Sequence, residues 1–468
     1  TRPFRATGVA VAAAQGLIAE CHSAQGARVM VFTSGPCTIG PGSIVGRDMS
    51  ETMRTHQDFN KGDAKHYKAA SEFYNQIGIR LATHAHTLDV FACSLDQVGL
   101  AEMKTAVDQT GGVMVLAEQF GADAFRSSLR RMFARDSSGA LDMYFNATFS
   151  VFCTPQVMVC GGIGPISALA VKSKSISENE VGMGQTTSWR VCSLNSNTSV
   201  AVYYEIVNQH SNPIPSGTPF YLQFCVRYKR SNGEIRLRVM TVARRWAESS
   251  SSHDVVSGAC FFCFFCFFCF FCFFCPLTGC PACELCVFIL CVFIRFRPRG
   301  GGDAGGAGVH VSHRTRGDVR LAALAGQVSL LYISVLTAIR MTSRLCFVYR
   351  TLIRVGTKFG EYAKDAPETF RMPGPFAIYP QFMFNLRRSQ FLQTANNTPD
   401  ETAFYRLMMG RETVLNSLVM IQPTLMSYTF NGPPTPVLLD VASIQPDCIL
   451  LLDTFFMIVV HAGSTIGE

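Results

Sequence analysis

The chain has 468 residues, a length that sets a prior of about two to four domains. Hydrophobic residues make up 48% and charged residues 16%, against a usual ~25%; this balance excludes a disordered or collagen-like chain and can fill several buried cores. The 41 Lys and Arg against 33 Asp and Glu give a net charge of +8, which permits an acidic membrane or protein partner. No Lys/Arg cluster is dense enough to propose nucleic-acid binding. The first residue is Thr and no signal peptide follows, so the chain reads as a fragment or a processed form.

Residues 8–20 are Ala-rich and helical, and 27–32 (ARVMVF) form a short buried strand. Residues 63–82 are predicted as one long amphipathic helix, with Tyr67, Ala70, Phe73, Ile77 and Leu81 at three-to-four spacing. A strand over 87–93 (TLDVFAC), a helix over 99–107, a strand over 112–116 and a basic amphipathic helix over 122–134 follow. Strands alternating with helices imply a parallel sheet covered on both faces. From 141 to 247 the segments become short and β-rich, and Ser231-Asn232-Gly233 signals a tight hairpin inside an antiparallel sandwich or barrel. Residues 345–421 turn helical, with a capping box and a first-turn proline in Thr398-Pro399-Asp400-Glu401. Residues 425–461 are β-like again and end in the apolar run ILLLDTFFMIVV.

The cysteines are unevenly placed. Ten of the 19 lie between Cys260 and Cys291, and residues 261–275 are five tandem Phe-Phe-Cys units. The other nine (Cys21, Cys37, Cys93, Cys153, Cys160, Cys192, Cys225, Cys346 and Cys448) show no disulfide-framework spacing and read as free thiols of a reducing, cytosolic compartment. Three readings of the cluster are open. Cysteines spaced by three suggest zinc or an iron–sulfur cluster, yet Phe-filled spacers offer no polar groups to orient the ligands. Residues 259–275 are apolar and at the lower limit of a membrane span, with a second apolar run at 285–294. The third reading is translated non-coding DNA such as a retained intron, because Phe and Cys codons are pyrimidine-rich and an Arg/Gly-rich segment follows abruptly after Arg295.

Other motifs lack their context. Asp48-Met49-Ser50-Glu51-Thr52 mimics the Asp-x-Ser-x-Ser metal loop of von Willebrand A domains, but no hydrophobic strand directly precedes it, so a solvated turn is expected. His84 and His86 have no third ligand nearby in sequence and read as a polar helix-to-strand junction. Gly182-Met183-Gly184 lacks a preceding strand and a third glycine, which argues against dinucleotide binding. No nucleophile elbow and no HExxH occur, so no catalytic, cofactor or metal residue is assigned.

Several long strings resemble the inner-coat GTPase-activating subunit of the COPII vesicle coat: GARVMVFTSGPCTIGPGSIVG (26–46), HTLDVFACSLDQVGLAEMK (86–104), SENEVGMGQTTSWRVCSL (177–194), YYEIVNQHSNPIPSG (203–217), TLIRVGTKFGEY (351–362), YPQFMFNLRRSQFLQTANNTPDE (379–401) and GPPTPVLLD (432–440). The resemblance implies a multidomain α/β, all-β and α chain. Its parts are the C-terminal part of a von Willebrand A-like trunk (1–137), a β-sandwich (138–247), an anomalous tract (248–345), a helical domain (346–422) and the start of a gelsolin-like domain (423–468). The implied role is coat assembly for endoplasmic-reticulum-to-Golgi transport, at the cytosolic face of the endoplasmic-reticulum membrane. The implied partners are a small Arf-like GTPase, the cargo-adaptor subunit, outer-cage subunits and the membrane surface. The resemblance also implies a zinc finger and a catalytic arginine finger, both expected to fall outside this sequence. Such an arginine neutralises phosphate charge in the transition state. Arg387 and Arg388 are expected on a solvated helix face and not in that role. The competing functions are a Cys-rich metal-binding protein and an integral membrane protein using 259–294.

Overall fold

The computed structural model describes residues 1–135, 139–195, 198–207, 214–215, 217–246, 290–295, 344–363, 365–373, 377–412, 414–430 and 432–466. The N-terminal part alternates α1 (Thr7–His22), β1 (Ala27–Thr33), α2 (His56–Lys61), α3 (Tyr67–Thr83), β2 (His86–Cys93), α4 (Leu100–Thr110), β3 (Met114–Ala117) and α5 (Asp123–Met132). The strands form a parallel sheet in the order β1-β2-β3. Every residue of the central β2 is buried, as expected of a parallel strand flanked on both sides. Helix α3 sends Tyr74, Ile77 and Leu81 into this core and Ala70 into a small cluster with Ile44 and Val45, and a Cβ added at Gly78 would lie 2.7 Å from the Ala106 Cα of α4. The helix expected from residue 63 begins at Tyr67. Gly62, at φ +79°, closes the separate helix α2, which has its own Thr55/Asp58 capping box.

Strands β4 (Tyr144–Cys153), β5 (Val157–Ile163), β6 (Ser167–Ala168), β7 (Ser188–Leu194), β8 (Ser199–Ile206), β9 (Pro219–Arg230) and β10 (Ile235–Arg245) build the sandwich. One sheet has the antiparallel order β10-β9-β4-β7-β6, and the other has the order β11-β8-β5, with β11 being Leu290–Arg295. The predicted Asn-Gly hairpin joins β9 to β10: Gly233 adopts φ +90° and the Arg230 amide donates to the Glu234 carbonyl at 2.8 Å. Between the sheets, Phe149 stacks on Trp189 at 5.6 Å, and both are fully buried.

Strand β11 comes from the anomalous tract of 248–345 and pairs antiparallel with Ser199–Tyr204 of β8. Without it β8 would end the sheet in unpaired backbone groups, and Leu-Cys-Val-Phe-Ile-Arg has the β-branched and aromatic content that favours pairing. The apolar run expected over 285–294 as part of a membrane span therefore contributes a strand at 290–294. The Phe-Phe-Cys units lie outside the described residues.

The helical part comprises α6 (Arg344–Phe359), α7 (Tyr379–Arg388), α8 (Pro399–Met409) and α9 (Val414–Ile421). It also holds an unforeseen hairpin of β12 (Glu361–Ala363) and β13 (Ala366–Arg371), largely exposed and without a period-two apolar pattern to betray it. A final antiparallel sheet has the order β15-β14-β16-β17, from β14 (Thr424–Tyr428), β15 (Thr435–Val437), β16 (Ile449–Asp453) and β17 (Ile458–Ala462). The terminal apolar run folds into the hairpin of β16 and β17. Sandwich residues Trp189 and Phe224 share one core with Tyr379, Phe382 and Leu386 of α7, and Phe455 and Phe456 pack against it. Ala403 and Leu407 of α8 enter the separate trunk core. Among the described residues no helix is long and apolar enough to cross a membrane.

Candidate functional site

The largest polar constellation lies where the helical part meets the trunk. Helix α4 starts at Gly99, which adopts φ +106° and provides no side chain to cap the first amides. Asp400 supplies the cap from 299 to 302 residues away: Oδ2 accepts from the amides of Val98 (2.7 Å) and Gly99 (2.9 Å), and Oδ1 from that of Ala101 (3.2 Å). Asp400 also sits in the first turn of its own helix α8, so two helix N-termini converge on one carboxylate. Arg54 donates to Asp400 Oδ1 at 2.6 Å, to both oxygens of Glu102 at 2.7 and 2.5 Å, and to Gln97 Oε1 at 2.6 Å. All three charged residues are buried. Burial works against the Asp400 charge, but Arg54 and the amides of Gly99 and Leu100 overcome it and hold the carboxyl below its ordinary value. Burial pushes Glu102 up despite Arg54, so of the two carboxylates Asp400 keeps the firmer charge.

The other end of α4 is held by the opposite charge. Arg411 donates to the Val107 carbonyl at 2.7 Å and to the Gly112 carbonyl, and stands 3.9 Å from Asp108. The acid at the N-terminus and the base at the C-terminus both match the helix dipole. A third pair ties trunk to sandwich: Arg28 on β1 makes a bidentate bridge to Asp89 on β2, at 2.9 and 2.6 Å, and donates to Ser193 on β7. Helix α4 is thereby fixed to the helical part, and the adjoining β1–β2 pair to the sandwich. Arg54, Glu102, Asp400, Arg28 and Asp89 all pair with one another or with backbone amides, while the Arg411 Nε faces Asp108 at 3.9 Å. The arrangement sets the relative position of three parts of the chain.

The residues singled out in sequence behave differently. Asp48 accepts from the Ser50 amide at 2.9 Å in an exposed turn, and that hydrogen bond lowers its carboxyl from the ordinary value. The rings of His84 and His86 stack at 5.9 Å. His84 pairs with Ser23, His86 Nε2 faces the His22 carbonyl at 3.0 Å, and burial lowers the His86 imidazole. Among the described residues no group of three or more His, Cys, Asp or Glu is arranged to hold a metal ion. Gly182 and Gly184 belong to a loop laid against β5, where a Cβ at Gly182 would come 2.3 Å from the Gly162 carbonyl oxygen; they serve backbone approach, not a phosphate. Arg387 and Arg388 are exposed on α7 and lie over the rings of Tyr349 (5.2 Å) and Phe384 (5.4 Å). Cys21, Cys37, Cys93, Cys153, Cys160, Cys192, Cys225 and Cys448 are free thiols. Burial pushes Cys160 and Cys192 up to about 12, which leaves neither as a nucleophile. A groove of about 620 Å³ between α1 and β1 is lined mostly by Ala and Val, with Arg5, Met30 and Phe32 also on its wall.

Three family models match the chain in order: the Sec23/Sec24 trunk domain over residues 1–136, the Sec23/Sec24 beta-sandwich domain over 144–247 and the Sec23/Sec24 helical domain over 343–419. The chain belongs to the Sec23/Sec24 family. It is 38% identical over 474 aligned residues to the protein transport protein SEC23 F of Arabidopsis thaliana, covering 100% of this chain and 53% of that protein. It thus spans about half the length of that relative. The crystal structure of the human COPII-coat protein Sec24c superposes with a TM-score of 0.65 over 99% of this chain and 50% of that one, at 14% identity, a likeness of fold. The Sec23/Sec24 matches leave out 248–342, the stretch that carries the Phe-Phe-Cys repeats.

The sequence reading missed the Arg54–Glu102–Asp400 and Arg411 contacts. Only one signal was visible: a buried Arg and two buried acids in an otherwise apolar, weakly charged chain must find each other. Nothing in the spacing says which Arg meets which acid across some 300 residues.

Proposed function

We propose that this chain is a subunit of the COPII inner coat of the Sec23 type, acting at the cytosolic face of the endoplasmic-reticulum membrane. The observation that carries the reading is the interlocked trunk, sandwich and helical part, matched in order by three models of one family. In this role the chain scaffolds. Its trunk meets the cargo-adaptor subunit, and its assembled surface receives the GTP form of a small Arf-like GTPase, with outer-cage subunits joining afterwards. The chemistry of GTP hydrolysis belongs to the GTPase, and a Sec23-type subunit contributes positioning and an arginine that offsets phosphate charge. Arg387 and Arg388 are not proposed for that role; their guanidinium groups lie over aromatic rings of the helical part. No metal or cofactor is proposed for this chain.

The test is flotation on liposomes carrying the GTPase loaded with a non-hydrolysable GTP analogue, with the cargo-adaptor subunit added. The chain is expected to float with the GTP form and to stay behind with the GDP form; flotation indifferent to nucleotide overturns the proposal. Single-turnover GTP hydrolysis in the same mixture separates scaffold from activator. The expected rate is near the intrinsic one, and stimulation within about tenfold of a full Sec23 protein would mean that an arginine of this chain acts as the finger.

A further inference from the structure

The turn from α1 to β1 joins the trunk to the sandwich, and its backbone is strained. Five non-glycine residues among those described adopt positive φ, a conformation that residues with a Cβ rarely take. Three of them meet here: Ala24 at +58°, Ala85 at +61° and Asn146 at +45°. On the sandwich side, Asn146 of β4 donates to the Ala24 carbonyl at 2.8 Å, and Lys229 of β9 donates to Gln25 Oε1 at 2.6 Å. On the trunk side, the Ala24 amide donates to the His84 carbonyl at 3.1 Å, and Ser23 Oγ pairs with His84 Nδ1 at 2.9 Å. His86 Nε2 lies 3.0 Å from the His22 carbonyl. A carbonyl oxygen only accepts, so this last contact fixes the proton of the neutral His86 ring on Nε2. The other nitrogen is left bare: His86 is fully buried, and Nδ1 has no hydrogen-bond partner.

We propose that the turn over residues 22–26 is a proton-sensitive latch between trunk and sandwich, closed while His86 is neutral and opened when Nδ1 takes a second proton from solvent. In the closed turn that proton would sit on a buried N–H with no acceptor. The His84 ring stacks on His86 at 5.9 Å with 20° between the planes, and the charges of His84 and His22 oppose another cation. Lys229 brings further positive charge to the turn, as does Arg190 of β7, which donates to Asn146 Oδ1 at 2.6 Å. From β1, Ala27 stands opposite His86, and Arg28 is committed to Asp89. Among the described residues no carboxylate pairs with His22, His84 or His86. Lifting the turn gives Nδ1 water as a partner and lets Ala24 and Ala85 leave their strained conformation. The sign follows from burial, which lowers the closed His86 imidazole from its ordinary value. Closure therefore has its full support above the ordinary histidine value of about 6.5 and loses it as pH falls below that.

The test is amide hydrogen exchange of the full chain at about pH 7.5 and about pH 5.5, with each rate corrected for the chemical exchange rate at that pH. A histidine of ordinary value is about tenfold more protonated than neutral at the lower pH, so protection of the turn is expected to fall about three- to tenfold. Protection of α4, which holds no histidine, serves as the reference and is expected to stay level. His86→Gln keeps a donor for the His22 carbonyl but has no proton to gain, and should make the turn insensitive to pH. His84→Gln should leave the fall in place. His86→Phe is the second variant without a titrating ring, should His86→Gln fail to fold. Ring-carbon NMR of the parent reads the same event directly: the His86 signal is expected to titrate below the ordinary histidine value. Equal protection of the turn at both pH values, a fall shared equally by α4, a fall that survives in His86→Gln or His86→Phe, or a fall abolished by His84→Gln would each overturn the proposal. So would a His86 ring that titrates at or above the ordinary value.

Discussion

Helix α4 and strand β10 mark two ways in which this chain treats backbone groups that local structure leaves open. The first amides of α4 meet Asp400 and its last carbonyls meet Arg411, both from the helical part and both buried or nearly so. The outer edge of β10 meets nothing among the described residues. The first region spends buried charge to fix how one part of the chain sits on another. The second is a long edge strand carrying Arg236, Arg238, Arg244 and Arg245, charges of the kind that guard an edge against pairing. Closure by a remote side chain makes a joint between two parts of the chain.

The comparison breaks most sharply at Asp400. Asp400→Ala removes one anion from a buried set and strips the α4 amides of their acceptors, so a loss of about 3–5 kcal/mol is expected. Urea unfolding of the whole chain checks it. A shift below about 1 kcal/mol would mean that Glu102 alone satisfies Arg54 and that the joint is not built on Asp400. Arg411→Met tests the other end; it takes the guanidinium donor from the Gly112 carbonyl, while the Val107 carbonyl keeps the Gly112 amide, and should cost about 1–3 kcal/mol. If Arg411→Met equals or exceeds Asp400→Ala, the C-terminal contact is the stronger half of the clamp.

A smaller effect is expected from pH. The folded Asp400 carboxyl is held below its ordinary value, so its contribution is fully present above the unfolded carboxylate range, near pH 4, and is lost as pH falls through the folded value. Glu102 has the opposite sign: pushed up by burial, it favours folding while it holds its proton and loses that contribution as pH rises. Stability measured from pH 5 downward should therefore fall less steeply in Asp400→Asn than in the parent. Parallel curves would place the acid sensitivity elsewhere.

Much of the fold was legible because it is local. The three-to-four spacing of Ala70, Ile77 and Leu81 marks α3, alternation marks β9, and the Asn-Gly turn marks its hairpin. The Thr398 capping box was read correctly as the start of α8. The same tetrapeptide hid the joint: Asp400, one residue before the Glu401 that completes the box, caps a different helix some 300 residues away. No periodicity encodes a contact of that span. The hairpin of β12 and β13 escaped for a different reason, since its exposed residues carry no alternation to read. Strand β11 escaped because the composition around it is unlike the rest of the chain, while its pairing depends on what β8 offers.

The smallest effect on stability should come from β10, and that smallness is the point. Leu237 is 67% exposed and makes no contribution to either large core. Leu237→Lys therefore removes little buried area, and its stability should stay within about 0.5 kcal/mol of the parent. Its effect should appear in association instead. A charge in the middle of an open edge opposes edge-to-edge pairing between copies, so light scattering at raised concentration should fall. A core substitution of similar size change, such as Leu222→Ala on the neighbouring β9, should do the reverse: it costs about 2–5 kcal/mol and leaves the β10 edge as it was. If Leu237→Lys unfolds the chain instead, Leu237 is covered in solution, and the contrast between a closed helix and an open edge fails.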